Sequence, residues 1–213
     1  MSHSEQEIMV IDRSTLFADG YFQGFAPADE INYEQIILDN YFYKNRDEVE
    51  TKSEFKQPIA YCIIVNKKTN DIFAYQRSVK EGDYNEKRLR GKWSWGIGGH
   101  IDKIDAEGGN PIEASMLREI EEEVDISNFD DPEILGYIND DATEVGQVHF
   151  GLLFLIKTDA KKVALKGSEA AWGSFMPFEK VKEISEEGEK AVESWSQIGF
   201  APLSKALGVE SEE

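Results

Sequence analysis

The chain carries the run Arg118-Glu119-Ile120-Glu121-Glu122-Glu123 inside a segment, 110–124, whose apolar residues recur every fourth position. At about 100° per residue, a helix there places Glu119, Glu122 and Glu123 within a single arc of roughly that width, with Glu121 pointing well away. Three carboxylates at i, i+3 and i+4 repel one another by a few tenths of a kcal/mol per pair, roughly. A hard, oxygen-seeking dication such as Mg²⁺ or Mn²⁺ would offset that repulsion. Bound there, such a cation would lower the pKa of a water it holds. Arg118 can pair with a neighbouring carboxylate and fix its rotamer. The structural alternative is a solvated acidic helix face that does no chemistry.

The elements that position this run follow from the flanking residues. Asn110 is a good N-cap and Pro111 occupies the favoured first position. Ile112, Met116, Ile120 and Val124 recur every fourth residue with Leu117 beside them, and Ile112, Met116 and Ile120 face the core. Upstream, 59–65 predicts a central strand and 72–76 its hairpin partner, followed by a charged loop, a strand at 93–97 and the pair Gly98-Gly99. Downstream, 133–139, 147–157 and 171–176 predict strands, and 177–184 and 189–207 predict closing helices. The N-terminal part gives a short strand at 8–11, a helix at 33–40 and a strongly charged connecting loop at 44–56. Strands with a helix between them make a layered α/β domain.

Within that frame, segment 98–126 resembles the Nudix box, G-x5-E-x7-R-E-U-x-E-E-x-G-U with U aliphatic. Arg118, Glu119, Ile120, Glu122, Glu123 and Ile126 fall on its R, E, U, E, E and final U. Gly98-Gly99-His100-Ile101-Asp102 is similar to its glycine-led loop, and the resemblance spans about 58–184. There are departures. Counting back from Arg118 puts Asn110 where the first glutamate stands, so the loop after Gly99 reads as five residues longer. Asp125 replaces the glycine after the helix.

The resemblance implies a Nudix-type α/β/α sandwich with a mixed sheet, with an N-terminal extension at 1–57 and the domain at 58–208, and the acidic tail at 209–213 reads as disordered. It implies a divalent-metal-dependent hydrolase cleaving a diphosphate linkage in a nucleoside diphosphate-linked or related small molecule. Glu119, Glu122 and Glu123 would be the Mg²⁺ or Mn²⁺ ligands, with the Gly99 carbonyl. Arg118, Glu119 and Glu122 would serve catalysis, and Arg77 would contact phosphate. The competing class is an inactive Nudix-like module that binds a nucleotide or a partner. An isomerase of diphosphate esters is a third, which would need a reactive cysteine, and Cys62 sits in an apolar strand.

Weaker signals remain. Asp140, Asp141 and Glu144 read as a solvated acidic turn, and Glu169 as an outlying carboxylate. Trp93 and Trp95 read as core, and His3, His100 and His149 as too scattered for a zinc site. Forty-two acidic residues against 23 Lys and Arg, a formal charge of −19, argue against duplex DNA or an anionic membrane as partner. One cysteine excludes an internal disulfide. The apolar runs 59–65 and 150–156 are far shorter than the roughly 20 residues a bilayer needs, and the polar N-terminus has no secretory pattern. These features predict a soluble cytoplasmic protein with a small-molecule substrate, and a homodimer is the commonest assembly for such chains.

Overall fold

The computed structural model describes residues 6–78, 90–126, 128–166 and 170–209. The order is β1 (Glu7–Asp12), α1 (Arg13–Leu16), β2 (Gly24–Pro27), α2 (Tyr33–Asn40), β3 (Phe42–Asn45), α3 (Arg46–Val49), β4 (Phe55–Asn66) and β5 (Ile72–Arg77). Then come β6 (Trp93–Ser94), β7 (Gly96–Ile97), a 3-10 turn (Lys103–Gly108), α4 (Pro111–Glu123), β8 (Val124–Asp125), β9 (Glu133–Asn139) and α5 (Glu144–Val148). The chain closes with β10 (His149–Thr158), β11 (Ala164–Leu165), β12 (Ala170–Met176), α6 (Phe178–Glu186), a 3-10 turn (Gly188–Lys190) and α7 (Ser194–Leu207). The large sheet runs β12-β5-β4-β10-β9-β2, with β1, β3, β6 and β7 attached off that path. None of the described helices is long and apolar enough to cross a membrane.

The chain forms two compact units. The first takes its described residues from 1–61, 98–118 and 134–153. Here β1 pairs antiparallel with β3 and then with the start of β4, at Ile11↔Lys56. Segment 44–56, expected as a loop, is the end of β3, then α3, then a turn at 50–54 and the first residues of β4. Its charges hid a local logic. Asn45 caps α3 by accepting from the Asp47 N–H, and Val49 is buried with Ile8 and Val10 while Phe42 and Phe55 pack on them. A second nucleus is aromatic: Tyr33 lies 5.1 Å from Tyr137 and 5.5 Å from Phe150, ring centre to ring centre. Aromatic contacts of this kind, edge-to-face with Tyr137 and tilted with Phe150, add about 0.5–1.5 kcal/mol beyond area burial. They fasten the N-terminal residues to β9 and β10.

The second unit takes its described residues from 62–97, 119–133 and 154–213. Strand β5 is its hub, paired with β12 from Ile72↔Met176 onward, with β6 at Tyr75↔Ser94 and with β4 at Val65↔Ile72. The β4–β5 turn is set by Asn66, whose side-chain oxygen accepts from the Lys68 and Thr69 N–H groups. Asn70 completes it at φ 58°, a left-handed position that asparagine tolerates. The predicted strand 93–97 divides into β6 and β7, which pair with β5 and β4 respectively. Between them Trp95 is fully buried, its indole N–H donating to the Ser196 carbonyl at 2.7 Å. Trp93 is only half-buried and packs edge-on against Trp172.

Candidate functional site

Gly98 opens the loop before α4 under tight steric control: a Cβ there would lie 2.2 Å from the Ala60 carbonyl oxygen. At the other end of the loop, Asn110 starts the helix. Its side-chain oxygen accepts from the Ile112 N–H at 3.0 Å, and its carbonyl accepts from Ala114 at 3.0 Å. Ile112, Met116, Ile120 and Val124 are all buried, as their period required.

Arg118 finds its partner in the loop, and it is a residue the sequence reading passed over. Its Nε and one terminal nitrogen each donate to a carboxylate oxygen of Asp105 at 2.9 Å, a bidentate pair. The same terminal nitrogen reaches the His100 carbonyl at 2.9 Å and the Ser115 hydroxyl at 3.3 Å. Asp105 is 6% exposed, and its second oxygen also accepts from the Asp102 N–H at 2.8 Å within the 3-10 turn. Counting forward from Gly99 gives G-x5-Asp105, the spacing of the box with aspartate in place of glutamate. The five additional residues therefore follow this acid, and Asn110 is a cap, not its replacement. The signal was present in the forward count, and counting backward from Arg118 concealed it.

Helix α4 passes from the first unit to the second between Arg118 and Glu119. Glu119 and Glu123 are half-buried and Glu122 is exposed. Burial, and then the negative charges of Glu123 and Glu119, push the Cys62 thiol well above its ordinary range. Cys62 is thus a buried thiol within β4. Glu121 is exposed, and its carbonyl accepts from the Lys166 ammonium at 2.8 Å. Asp125 needs no left-handed backbone, because the chain leaves α4 directly into β8, paired Asp125↔Ala164. Among the described residues, no three His, Cys, Asp or Glu side chains are gathered at metal-holding geometry. The donor set on α4 is all carboxylate oxygen at a face with one exposed member. That chemistry fits a hard dication that retains several waters.

Arg77 is oriented by an acid that sequence reasoning also missed. Its Nε donates to Glu193 at 2.7 Å, and its guanidinium lies over the Tyr75 ring at 5.0 Å. Both charged side chains are largely buried, 14% and 9% exposed.

Glu144 in the acidic turn after β9 is exposed as expected, but the two aspartates of the turn are not solvated. Asp140 is buried, and Asp141 accepts from Arg13, from the Tyr21 hydroxyl at 2.8 Å and from the Lys56 ammonium at 2.8 Å. Burial pushes the Asp141 carboxyl up, but bonds from Arg13, Lys56 and Tyr21 outweigh it and hold it well below the usual carboxylate range. Lys56 is wholly buried and saturates its ammonium with Asp141, the Gly146 carbonyl at 2.7 Å and the His149 carbonyl at 3.1 Å. Two of the scattered histidines also meet: His100 Nε2 is 3.1 Å from His149 Nε2 and 2.8 Å from Gln57 Oε1. His3, Glu169 and residues 210–213 of the expected tail lie outside the described residues.

Several known proteins resemble this chain in sequence or in fold. The NUDIX domain family model matches residues 55–195. Protein YmaB of Bacillus subtilis (strain 168) is 33% identical over 208 residues, covering 93% of this chain and 97% of that protein. The crystal structure of Tm1382, named a candidate Nudix hydrolase, superposes with TM-score 0.72 at 28% identity, over 94% of this chain and all of that one. The NUDIX domain of Shewanella oneidensis NrtR, in complex with ADP ribose, shares the fold at TM-score 0.54 and 14% identity, over 71% of this chain and 88% of that one. With the family model covering well over half its length, the chain belongs to the NUDIX domain family.

Proposed function

We propose that the protein is a Mg²⁺- or Mn²⁺-dependent hydrolase that cleaves the diphosphate linkage of a nucleoside diphosphate-linked small molecule. The observation that carries this reading is the bidentate Arg118–Asp105 pair beside three carboxylates on one helix face. It supplies the loop acid that a backward count had found missing, and so removes the main reason to favour an inactive binding module. Glu119, Glu122 and Glu123, with the Gly99 carbonyl, would hold the cation. When bound, that cation would polarise the diphosphate and make water nucleophilic near neutral pH. Arg118, pinned by Asp105, the His100 carbonyl and Ser115, fixes the start of the acidic run and restrains the glycine loop. Either Glu119 or Glu122 would receive the proton of the attacking water. Arg77, oriented by Glu193, is assigned to a phosphate oxygen of the substrate.

ADP ribose is the first compound to test, because a protein of the same fold holds it. Glu122→Gln keeps the side chain's size and removes a charge, so turnover falls by about two decades, roughly 2.7 kcal/mol of transition-state stabilisation. Glu121→Gln, on the opposite side of the helix, changes turnover little. Equal effects of the two substitutions on an authentic substrate would overturn the assignment of the catalytic face.

A further inference from the structure

We propose that His100, His149 and Gln57 form a second cation site, of different chemistry from the α4 carboxylates, for a borderline transition dication such as Zn²⁺, Ni²⁺ or Co²⁺. All three residues belong to the first unit. Two imidazole nitrogens and one amide oxygen converge, with His100 Nε2 3.1 Å from His149 Nε2 and 2.8 Å from Gln57 Oε1. For an ion about 2.1 Å from each donor, these separations correspond to ligand–metal–ligand angles of about 95° and about 84°. Those are the angles of adjacent ligands around one octahedral ion.

The orientation of each donor is built in. His149 Nδ1 lies 2.7 Å from the Val145 carbonyl, which can only accept, so the proton sits on Nδ1 and Nε2 presents its lone pair. A backbone carbonyl on the remote ring nitrogen is the support that metal-ligating histidines ordinarily have. Gln57 is fully buried, and its amide nitrogen donates to the Val49 carbonyl at 3.2 Å, which aims Oε1 at His100. In the metal-free protein the His100 Nε2 proton is shared between two acceptors. Ligation moves that proton to Nδ1, a tautomer exchange with no change of charge. The cations nearest this cluster are matched by acids, Arg46 by Glu50 at 3.3 Å and Lys56 by Asp141 at 2.8 Å. Imidazole donors select transition ions over Mg²⁺, which prefers carboxylate and water. An ion here would tie together β4, the start of β10 and the loop residue whose carbonyl holds Arg118.

The test uses chelator-stripped full-length protein titrated with Zn²⁺ by calorimetry, and Cu²⁺ electron paramagnetic resonance to count ligating nitrogens. None of these readouts depends on turnover, so their failure is separable from failure of the hydrolase reading. The tightest-bound Zn²⁺ should have an affinity that Glu122→Gln leaves unchanged and His149→Gln weakens at least tenfold. The Cu²⁺ spectrum of the unmodified protein should show coupling to two imidazole nitrogens, which serves equally if His149→Gln does not fold. Zn²⁺ affinity equal in the unmodified protein and folded His149→Gln, or a Cu²⁺ spectrum without imidazole nitrogen, would overturn the site.

Discussion

Arg118 has five N–H donors on a rigid fork, and its usefulness beside the acidic run depends on how many are fixed. Asp105 takes two of them, and the His100 carbonyl and Ser115 engage the same terminal nitrogen. Asp105→Asn should therefore act on both stability and rate. Breaking a largely buried ion pair costs about 3 kcal/mol, and turnover should fall at least about tenfold, or roughly 1.4 kcal/mol, because the arginine loses its bidentate anchor. Asn110 behaves differently, since its bond to the Ile112 N–H is a helix cap two to three turns before the glutamates. Asn110→Ala should cost about 1 kcal/mol of stability and leave kcat within a few-fold below the melting temperature. Denaturation and steady-state kinetics on the two variants separate these roles. A large kcat loss in Asn110→Ala at unchanged stability would return Asn110 to the site.

At the scale of elements, the periodic segments were legible in the sequence. Helix α2 and strand β9 have the predicted bounds, and α4 differs by one residue at each end. The misread segments are short and charged. In 44–56, pattern reading saw Lys, Arg, Asp and Glu but not that Val49 and Phe55 pack with Ile8 and Val10. At Asp140 and Asp141 it saw solvated acids, because Lys56 is 85 residues from Asp141 in sequence. Long-range charge pairing leaves no local period, so such sites are visible only once the fold is known. Asp141→Asn leaves the wholly buried Lys56 without its counter-charge and should cost about 3 kcal/mol at pH 7. The pH dependence has a definite sign. Because the folded Asp141 carboxyl sits below its ordinary 3.8, its contribution is full above that pH and is lost as pH falls towards the folded value. Urea denaturation from pH 7 to 2 should show a steeper acid decline in the unmodified protein than in Asp141→Asn. Parallel curves would mean that Asp141 does not carry this part of the acid sensitivity.

For the whole molecule, a formal charge of −19 makes association with a diphosphate unfavourable unless cations intervene. Ions that bind only the folded state stabilise it by mass action, about 2.7 kcal/mol at a hundredfold excess over Kd. Saturating Mg²⁺ should therefore raise the melting temperature by several degrees, and Glu122→Gln should remove most of that shift. Mg²⁺ is the discriminating ion here, since the imidazole cluster has little affinity for it. The most direct measurement is turnover of a panel of nucleoside diphosphate-linked compounds, ADP ribose first, in ¹⁸O-labelled water with Mg²⁺ or with chelator, read by mass spectrometry. The account predicts two phosphate products from at least one compound, ¹⁸O in one of them, dependence on Mg²⁺ and loss of turnover in Glu122→Gln. No product from any member of the panel by folded, Mg²⁺-loaded protein, or product formed equally with chelator, would contradict it.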